Sequence, residues 1–327
     1  MASLISIQAL SVAFNGVPVL HGVDLTLQKG EALGLVGESG SGKSVTWLAA
    51  LGLLPRHAMV SGSVRIDGRE ILGAPASELD RVRGGRVAMI FQDPASALNP
   101  VLTIRKQLCE ALALHRDLSG DAVKAEALRL LNLVGIPDAA RRMSAYPHEF
   151  SGGQVQRIMI AMALAGNPDL LIADEPTTAL DATIQAQILE LLSTIRREMS
   201  MAMVLISHDL GVVAENCDRV AVMYAGRIVE QAPANQLFAD PVHPYAQGLI
   251  GALPPLDGPR RRLTAIPGTV PDPAHMPDGC AFAPRCALVA EPCGLAAPTL
   301  APIANDRAVA CICAAASRRA LLGIAAE

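Results

Sequence analysis

A chain of 327 residues with a formal net charge of −4 is long enough for a large buried core and carries no basic footprint for nucleic acid. It is 51% hydrophobic but only 3% aromatic. Even so, no apolar run approaches the roughly 18 residues of a membrane span, and no Lys or Arg precedes Lys29 to form a secretory n-region. The expectation is a cytoplasmic chain with reduced thiols.

In chain order, residues 4–14 and 23–27 read as strands, and Lys29-Gly30 turns the chain into a short apolar run at 32–36, read as a buried strand. Next comes Gly37-Glu38-Ser39-Gly40-Ser41-Gly42-Lys43-Ser44, which fills every fixed position of G-x-x-x-x-G-K-[ST]. Its glycines let the backbone bend so that successive N–H groups cradle a phosphate chain. Lys43 can reach the β- and γ-phosphates, and the Ser44 hydroxyl can ligate Mg²⁺. Residues 45–54 are mostly apolar and continue as a helix whose N-terminus favours anions. Strand over loop over helix is the context the pattern requires, so a nucleoside triphosphate is expected here.

Further strand signals lie at 63–67, closed by Asp67-Gly68, and at 87–91, ending on Gln92-Asp93-Pro94. From about 95 to 146 the spacing turns helical, with Leu108, Leu112, Leu128, Leu131 and Val134 suited to amphipathic helices. Residues 135–138 break that run. Ser151 is a good N-cap, and an Ile/Met/Ala/Leu-rich helix follows through Leu164. Residues 170–175 form an apolar strand ending in two carboxylates, Asp174 and Glu175. Thr178-Ala179-Leu180-Asp181 follows, and residues 203–207 form a strand ending on His208-Asp209.

The phosphate loop, Gln92, Ser151-Gly152-Gly153-Gln154, Asp174-Glu175, Asp181 and His208, in this order, resemble the ATP-binding cassette ATPases over roughly residues 4–235. The resemblance implies a role for each. Asp174, with Ser44 and Gln92, holds the Mg²⁺ shell, and Gln92 also links the metal site to the helical insert. Glu175 polarises the attacking water, a task that needs a carboxylate in line with the γ-phosphorus. His208 touches the γ-phosphate. Phe14, 23 residues before Gly37, stands where the family stacks an aromatic on adenine. Ser151, Gly152 and Gly153 are the signature that covers the nucleotide of an opposite subunit, with Asp181 nearby in the motif order. Two departures are visible: Phe150 stands where Leu is usual, and Val155 where a polar residue is common. Neither removes a phosphate contact.

After a hairpin at 220–231 the chain continues for nearly a hundred residues. His243-Pro244-Tyr245-Ala246-Gln247-Gly248-Leu249, Ile266-Pro267-Gly268-Thr269-Val270-Pro271, Gly279-Cys280 and Pro284-Arg285-Cys286 resemble the ATP-binding subunits of oligopeptide, dipeptide and nickel importers. Read without the family, residues 254–277 are Pro-rich and aperiodic, the pattern of a linker or surface wrap.

Five of the seven cysteines fall in this extension. Cys280, Cys286, Cys293 and Cys311 leave gaps of five, six and seventeen residues, with Cys313 spare. A cytosolic cluster of this density suggests metal more than disulfides. The spacing is neither that of a zinc ribbon nor of a ferredoxin, so it leaves the metal open. The importer resemblance implies a [4Fe–4S] cluster on those four cysteines. Cys109 and Cys217 read as ordinary buried thiols. Because the cluster lies outside the nucleotide motifs, its loss is expected to loosen the extension and leave ATP binding intact.

The fold expected is α/β: a P-loop core with an antiparallel β-subdomain, a helical insert at about 95–165 and a cysteine-bearing extension. Residues 1–235 form the nucleotide-binding domain and 236–327 the extension. The function implied is that of a peripheral ATPase on the cytoplasmic face of the membrane, driving uptake of di- or oligopeptides. It would pair with a second ATPase subunit and two membrane permeases, and indirectly with an extracytoplasmic binding protein. The alternatives are nickel or another small solute as cargo, and a soluble cassette ATPase of DNA repair or translation. Tandem cassettes or basic arms would mark the last, and this chain shows neither.

Overall fold

A computed structural model describes residues 3–93, 97–178, 180–253, 265–304 and 306–314. Residue 179 and residues 254–264 of the Pro-rich stretch lie outside the described residues. The chain divides into two compact units, one built from 73–206 with 28–31, the other from the segments up to 27, 32–72 and 207 onward.

In the second of these units, β1 (Ile5–Phe14) and β2 (Val17–Leu27) form an antiparallel hairpin. Asn15 and Gly16 both take positive φ, the requirement of a type I′ turn that matches strand twist. β4 (Ala58–Ile66) pairs with the other edge of β1, and β5 (Arg69–Glu70) closes a sheet of order β2-β1-β4-β5. This is the antiparallel β-subdomain expected. Both β2 and β4 begin about five residues earlier than the apolar pattern indicates. Pro18 and Gly22 interrupt the alternation in β2, and in β4 the run Ser61-Gly62-Ser63 cuts the half-exposed start at 58–60 off from the buried residues that follow, so neither start carries a clear strand signal.

The same unit holds a mixed sheet. β3 (Ala32–Val36) runs parallel to β9 (Arg219–Tyr224), which pairs antiparallel with β10 (Arg227–Pro233). All five residues of β3 are buried, as a parallel strand covered on both faces requires. Sequence pattern gave no hint of the next two strands. β12 (Arg307–Val309), from the extension, pairs with β10, and β11 (Ala301–Ala304) pairs with β12. β11 is exposed throughout, and β12 is three residues long, too short to show a period.

Arg307 fixes that added strand. Its guanidinium lies 3.0 Å from the Glu230 carboxylate, which is fully buried and also accepts the N–H groups of Val242 and His243. A second contact reaches Asp240 at 3.4 Å. Burial still pushes the Glu230 carboxyl above its ordinary value. Arg307→Met would strand a buried charge, at a cost of about 3–5 kcal/mol. We expect the β10–β12 ladder to lose hydrogen-exchange protection in that variant, and unchanged protection would show the pair to be dispensable.

In the other unit, β6 (Val87–Ile90), β7 (Leu170–Asp174) and β8 (Ala202–Ile206) form a parallel run in the order β6-β7-β8. α2 (Ala76–Val82) precedes β6, and the elements described between β6 and β7 are helices, among them α3 (Ile104–His115), α4 (Asp121–Leu133), α5 (Ala139–Arg142) and α6 (Gly152–Ala163). Leu108, Leu112, Leu131 and Val134 are buried, as the helical spacing requires, so each contributes roughly 2 kcal/mol of apolar burial, whereas Leu128 is only half-buried and Leu130 takes the buried position on that face. α7 (Ala182–Glu198) connects β7 to β8.

Candidate nucleotide site and cysteine cradle

The phosphate loop joins β3 to α1 (Lys43–Ala50). Gly37 and Gly42 have φ of +152° and +104°, in the range that only glycine adopts readily. A Cβ on Gly37 would run into the Met223 carbonyl, and one on Gly42 into the Leu20 and Met223 side chains. The loop is therefore pressed against β9, and Gly226 N–H ties it there through the Ser41 carbonyl at 2.9 Å. Lys43 is buried. Its Nζ donates to the carbonyls of Gly37 (2.8 Å) and Glu38 (2.9 Å), so the ammonium already sits inside the curve of the loop. Ser39 and Gly40 are exposed at the tip, and Ser44 is half-buried in the first turn of α1.

Phe14 and His208 belong to the same unit. Phe14 ends β1 half-buried, with its ring 6.0 Å from the ring of His57. His208 is exposed and immediately precedes Asp209, which caps α8 (Leu210–Asn216) by accepting the N–H of Gly211 at 2.9 Å.

The other unit brings Gln92 and Glu175 together. The Glu175 Oε2 accepts Gln92 Nε2 at 3.0 Å and Thr178 Oγ1 at 2.9 Å. Glu175 itself takes φ +47°, a left-handed conformation uncommon for a residue with a side chain, held by its N–H to the Ile206 carbonyl at 2.9 Å. Gln156 Nε2 pins the following turn through the Pro176 carbonyl. Asp174 ends β7 buried. Ser151 and Gly152 are exposed at the start of α6, where Ser151 N–H donates to Gln154 Oε1 at 3.2 Å. Gly153 cannot carry a Cβ without pushing on Ile184. Asp181 caps α7 by accepting the Ile184 N–H at 3.0 Å. Phe150, the departure from the usual Leu, is buried with the Arg142 guanidinium 4.2 Å above its ring.

In the extension, Cys280, Cys286, Cys293, Cys311 and Cys313 all line one small cavity of about 20 Å³, with His243 and Phe282. Burial pushes the thiols of Cys280 and Cys286 up, and that of Cys311 to about 11. An uncompensated thiolate is therefore costly there, and a bound cation would reverse the balance. A donor set of thiols alone fits a soft metal or an iron–sulfur centre. Among the described residues, however, no group of three or more His, Cys, Asp or Glu side chains is gathered closely enough to hold a metal ion. Cys217 is buried as expected, whereas Cys109 is only half-buried, because it lies toward the edge of the packed face of α3.

Sequence reasoning missed several partners of these residues. Thr178 and His57 lay inside or near quoted motifs without an assigned role. Tyr245 and Arg285 both contact Glu38, from 207 and 247 residues away, a distance no local spacing can express.

Residues 20–178 match the family described as ABC transporter, and residues 229–293 match the oligopeptide/dipeptide transporter C-terminal region. A protein of Brucella melitensis biotype 1, named as a peptide import ATP-binding protein, is 50% identical over 315 residues, covering 95% of both chains. The oligopeptide transport ATP-binding protein OppD of Haemophilus influenzae is 48% identical over 90% of this chain and 93% of its own. OppD of Salmonella typhimurium is 48% identical over 90% and 89%. Among solved structures, cbiO1 from Clostridium perfringens aligns with a TM-score of 0.64 at 26% identity, over 73% of this chain and 92% of that one. The dimeric cassette MJ0796, in a post-hydrolysis state with ADP and phosphate, aligns with a TM-score of 0.62 at 27% identity, over 70% and 98%. The chain belongs to the ATP-binding subunits of ABC transporters, in the branch that carries the oligopeptide/dipeptide transporter C-terminal region.

Proposed function

We propose that this chain hydrolyses ATP to drive uptake of di- or oligopeptides through separate membrane permeases, from the cytoplasmic face of the membrane. The observation that carries the reading is the pair of matches in one chain, a cassette at 20–178 and a peptide-transporter C-terminal region at 229–293. Likeness to two OppD proteins over nine-tenths of the chain supports peptide as the cargo. Among the described residues no helix is long and apolar enough to cross a membrane, so the translocation path needs other subunits. Phe91, Val101 and Tyr146 each expose a large apolar side chain on the unit with the helical insert, which we take as the side that receives a permease. The test is ATP-dependent accumulation of a labelled tripeptide in vesicles reconstituted with the chain, its permeases and its second ATPase subunit. Accumulation of nickel and not peptide would reassign the cargo.

Within that function, residues 1–235 serve as the nucleotide-binding domain and 236–327 as the extension. Lys43 and the backbone N–H groups of 37–44 bind the phosphates, and Phe14 stacks on the base. Ser44, Gln92 and Asp174 are the ligands for Mg²⁺, which neutralises developing phosphoryl charge when bound. Glu175, steadied by Gln92 and Thr178, accepts the proton of the attacking water. His208 contacts the γ-phosphate. Ser151, Gly152, Gly153 and Asp181 serve the nucleotide of a second ATPase subunit, where the exposed N-terminus of α6 offers N–H groups to an anion.

For the cysteine cradle we propose a [4Fe–4S] cluster on Cys280, Cys286, Cys293 and Cys311, supported by the gathering of these thiols on the lining of one cavity. Its contribution when bound is a soft-metal clip on a Pro-rich segment. Protein purified without oxygen should be brown and carry iron and acid-labile sulfide in near-equal amounts. Replacing any one of the four by Ser should remove most of the colour, and Cys313→Ser should not. Stoichiometric zinc in place of iron would overturn the assignment.

A further inference from the structure

Glu38 is an awkward residue to place in a loop that binds a triphosphate. The loop's function is to gather N–H groups and one ammonium around phosphate oxygens, and a carboxylate carried on that loop repels the same anion at close range. The structure shows how the side chain is handled, and the answer comes from the C-terminal extension. Arg285 Nη1 lies 3.0 Å from Glu38 Oε1 and 3.1 Å from Oε2, so one guanidinium nitrogen addresses the whole carboxylate. The Arg285 side chain is 5% exposed, and that of Glu38 29%. The arginine is in turn immobilised. Its Nε donates to the Pro267 carbonyl at 2.7 Å, Nη1 also reaches the Tyr224 hydroxyl at 3.3 Å, and the guanidinium lies against the rings of Tyr224 and Phe282. Tyr245 supplies a second tie. Its hydroxyl, fully buried, accepts the backbone N–H of Glu38 at 2.8 Å.

We propose that Arg285 and Tyr245 are positioning residues of the nucleotide site: the extension neutralises Glu38, holds its side chain on the tail's side of the loop, and thereby sets the affinity for ATP. The proposal rests on the phosphate-loop reading given above. It runs against the expectation that loss of the cluster leaves ATP binding intact, since Arg285 lies next to Cys286 in the turn whose Ala283 N–H bonds to the Cys280 carbonyl at 2.9 Å. Whatever orders the cysteine cradle orders the residue that holds Glu38.

The charge argument separates a positioning role from a purely structural one. Arg285→Met keeps the apolar stem against Tyr224 and Phe282 but leaves the Glu38 carboxylate unneutralised beside the phosphates. Binding of Mg·ATP bearing a methylanthraniloyl fluorophore, measured on the purified full chain, should weaken by about tenfold, within the usual range of couplings between sites. Adding Glu38→Gln in the Arg285→Met background should restore affinity to within about threefold of wild type, because the charge that needed neutralising is gone. Affinity unchanged in a folded Arg285→Met overturns the proposal. So does a loss that Glu38→Gln does not rescue, for the tail would then be a passive clamp. Should Arg285→Met fail to fold, Tyr245→Phe decides: it keeps the ring and removes only the acceptor of the Glu38 N–H. A rise in Kd of about threefold or more sustains the proposal, and a wild-type Kd overturns it. A wild-type chain that binds no nucleotide would instead sink the phosphate-loop reading itself.

Discussion

Glu175→Gln is expected to abolish steady-state ATP hydrolysis while leaving ATP binding nearly unchanged. The glutamate oxygen Oε2 accepts two hydrogen bonds, from Gln92 at 3.0 Å and Thr178 at 2.9 Å. An amide oxygen has two lone pairs and can accept both, so the side chain keeps its place. The left-handed backbone at this position, φ +47°, is the same cost for either residue. What the amide cannot do is take a proton from water, and positioned proton transfer of that kind contributes about 10²–10⁴-fold. Hydrolysis should fall by that factor with Kd for ATP within a fewfold of wild type. We also expect an ATP-bound dimer to accumulate, because the product state that separates the two ATPase subunits is not reached. Size-exclusion chromatography with ATP and Mg²⁺, beside a phosphate-release assay, reads both effects. Turnover at the wild-type rate would remove Glu175 from the reaction. The Gln92 contact gives a further internal check. Gln92→Ala should slow turnover less than Glu175→Gln does, since it takes away one of two donors to Glu175 and one of three proposed Mg²⁺ ligands but leaves the proposed base.

The parts of this protein that could be read in advance are those where physics acts locally. The phosphate loop is legible because its backbone conformation demands glycine at fixed spacing: a Cβ at 37 meets a carbonyl, and one at 42 meets side chains. β7 and β8 are legible because a parallel strand buried on both faces reads as a near-continuous apolar run, broken in β7 only at its last residue, Asp174. α3 and α4 announce themselves by the helical period of their buried leucines. The extension is different. β11 and β12 are too short and too exposed to carry a period, and they exist because β10 offers an edge and Glu230 a buried charge to satisfy. Arg285 and Tyr245, in a 3₁₀ segment and a short helix on either side of the Pro-rich stretch, are ordinary residues until the fold brings them to Glu38. Their function is a property of tertiary contact, and nothing within a dozen residues of either specifies it. The cysteines fall between these cases. Their density points to a metal, yet the gaps of five, six and seventeen residues match no ligand pattern, because the described chain between them is turns, 3₁₀ segments and the two short strands β11 and β12, with no repeating geometry.

Lys43→Ala should lose tight ATP binding. The ammonium is buried, and its donors reach the carbonyls of Gly37 and Glu38 at 2.8 and 2.9 Å, so it lies within the curve that the phosphates enter. Hydrogen bonds involving a charged group contribute about 1.5–3 kcal/mol each. One such bond corresponds to roughly tenfold to a hundredfold in affinity, and the lysine can make more than one. Alanine has a second effect, because the loop loses the tie that draws its first two carbonyls inward, and a looser cradle presents its N–H groups with less order. Both effects act in the same direction, so the loss should exceed that of Arg285→Met, which leaves the ammonium in place and only adds a repulsion. The fold itself should survive: the loop remains anchored to β9 by the Gly226 N–H to the Ser41 carbonyl, and α1 keeps its burial through Trp47, Ala49 and Ala50. Equilibrium titration with fluorescent ATP, alongside thermal melting without nucleotide, separates the two. A folded Lys43→Ala protein that binds ATP as wild type does would mean that the nucleotide is held elsewhere, and the loop at 37–44 would lose its assignment.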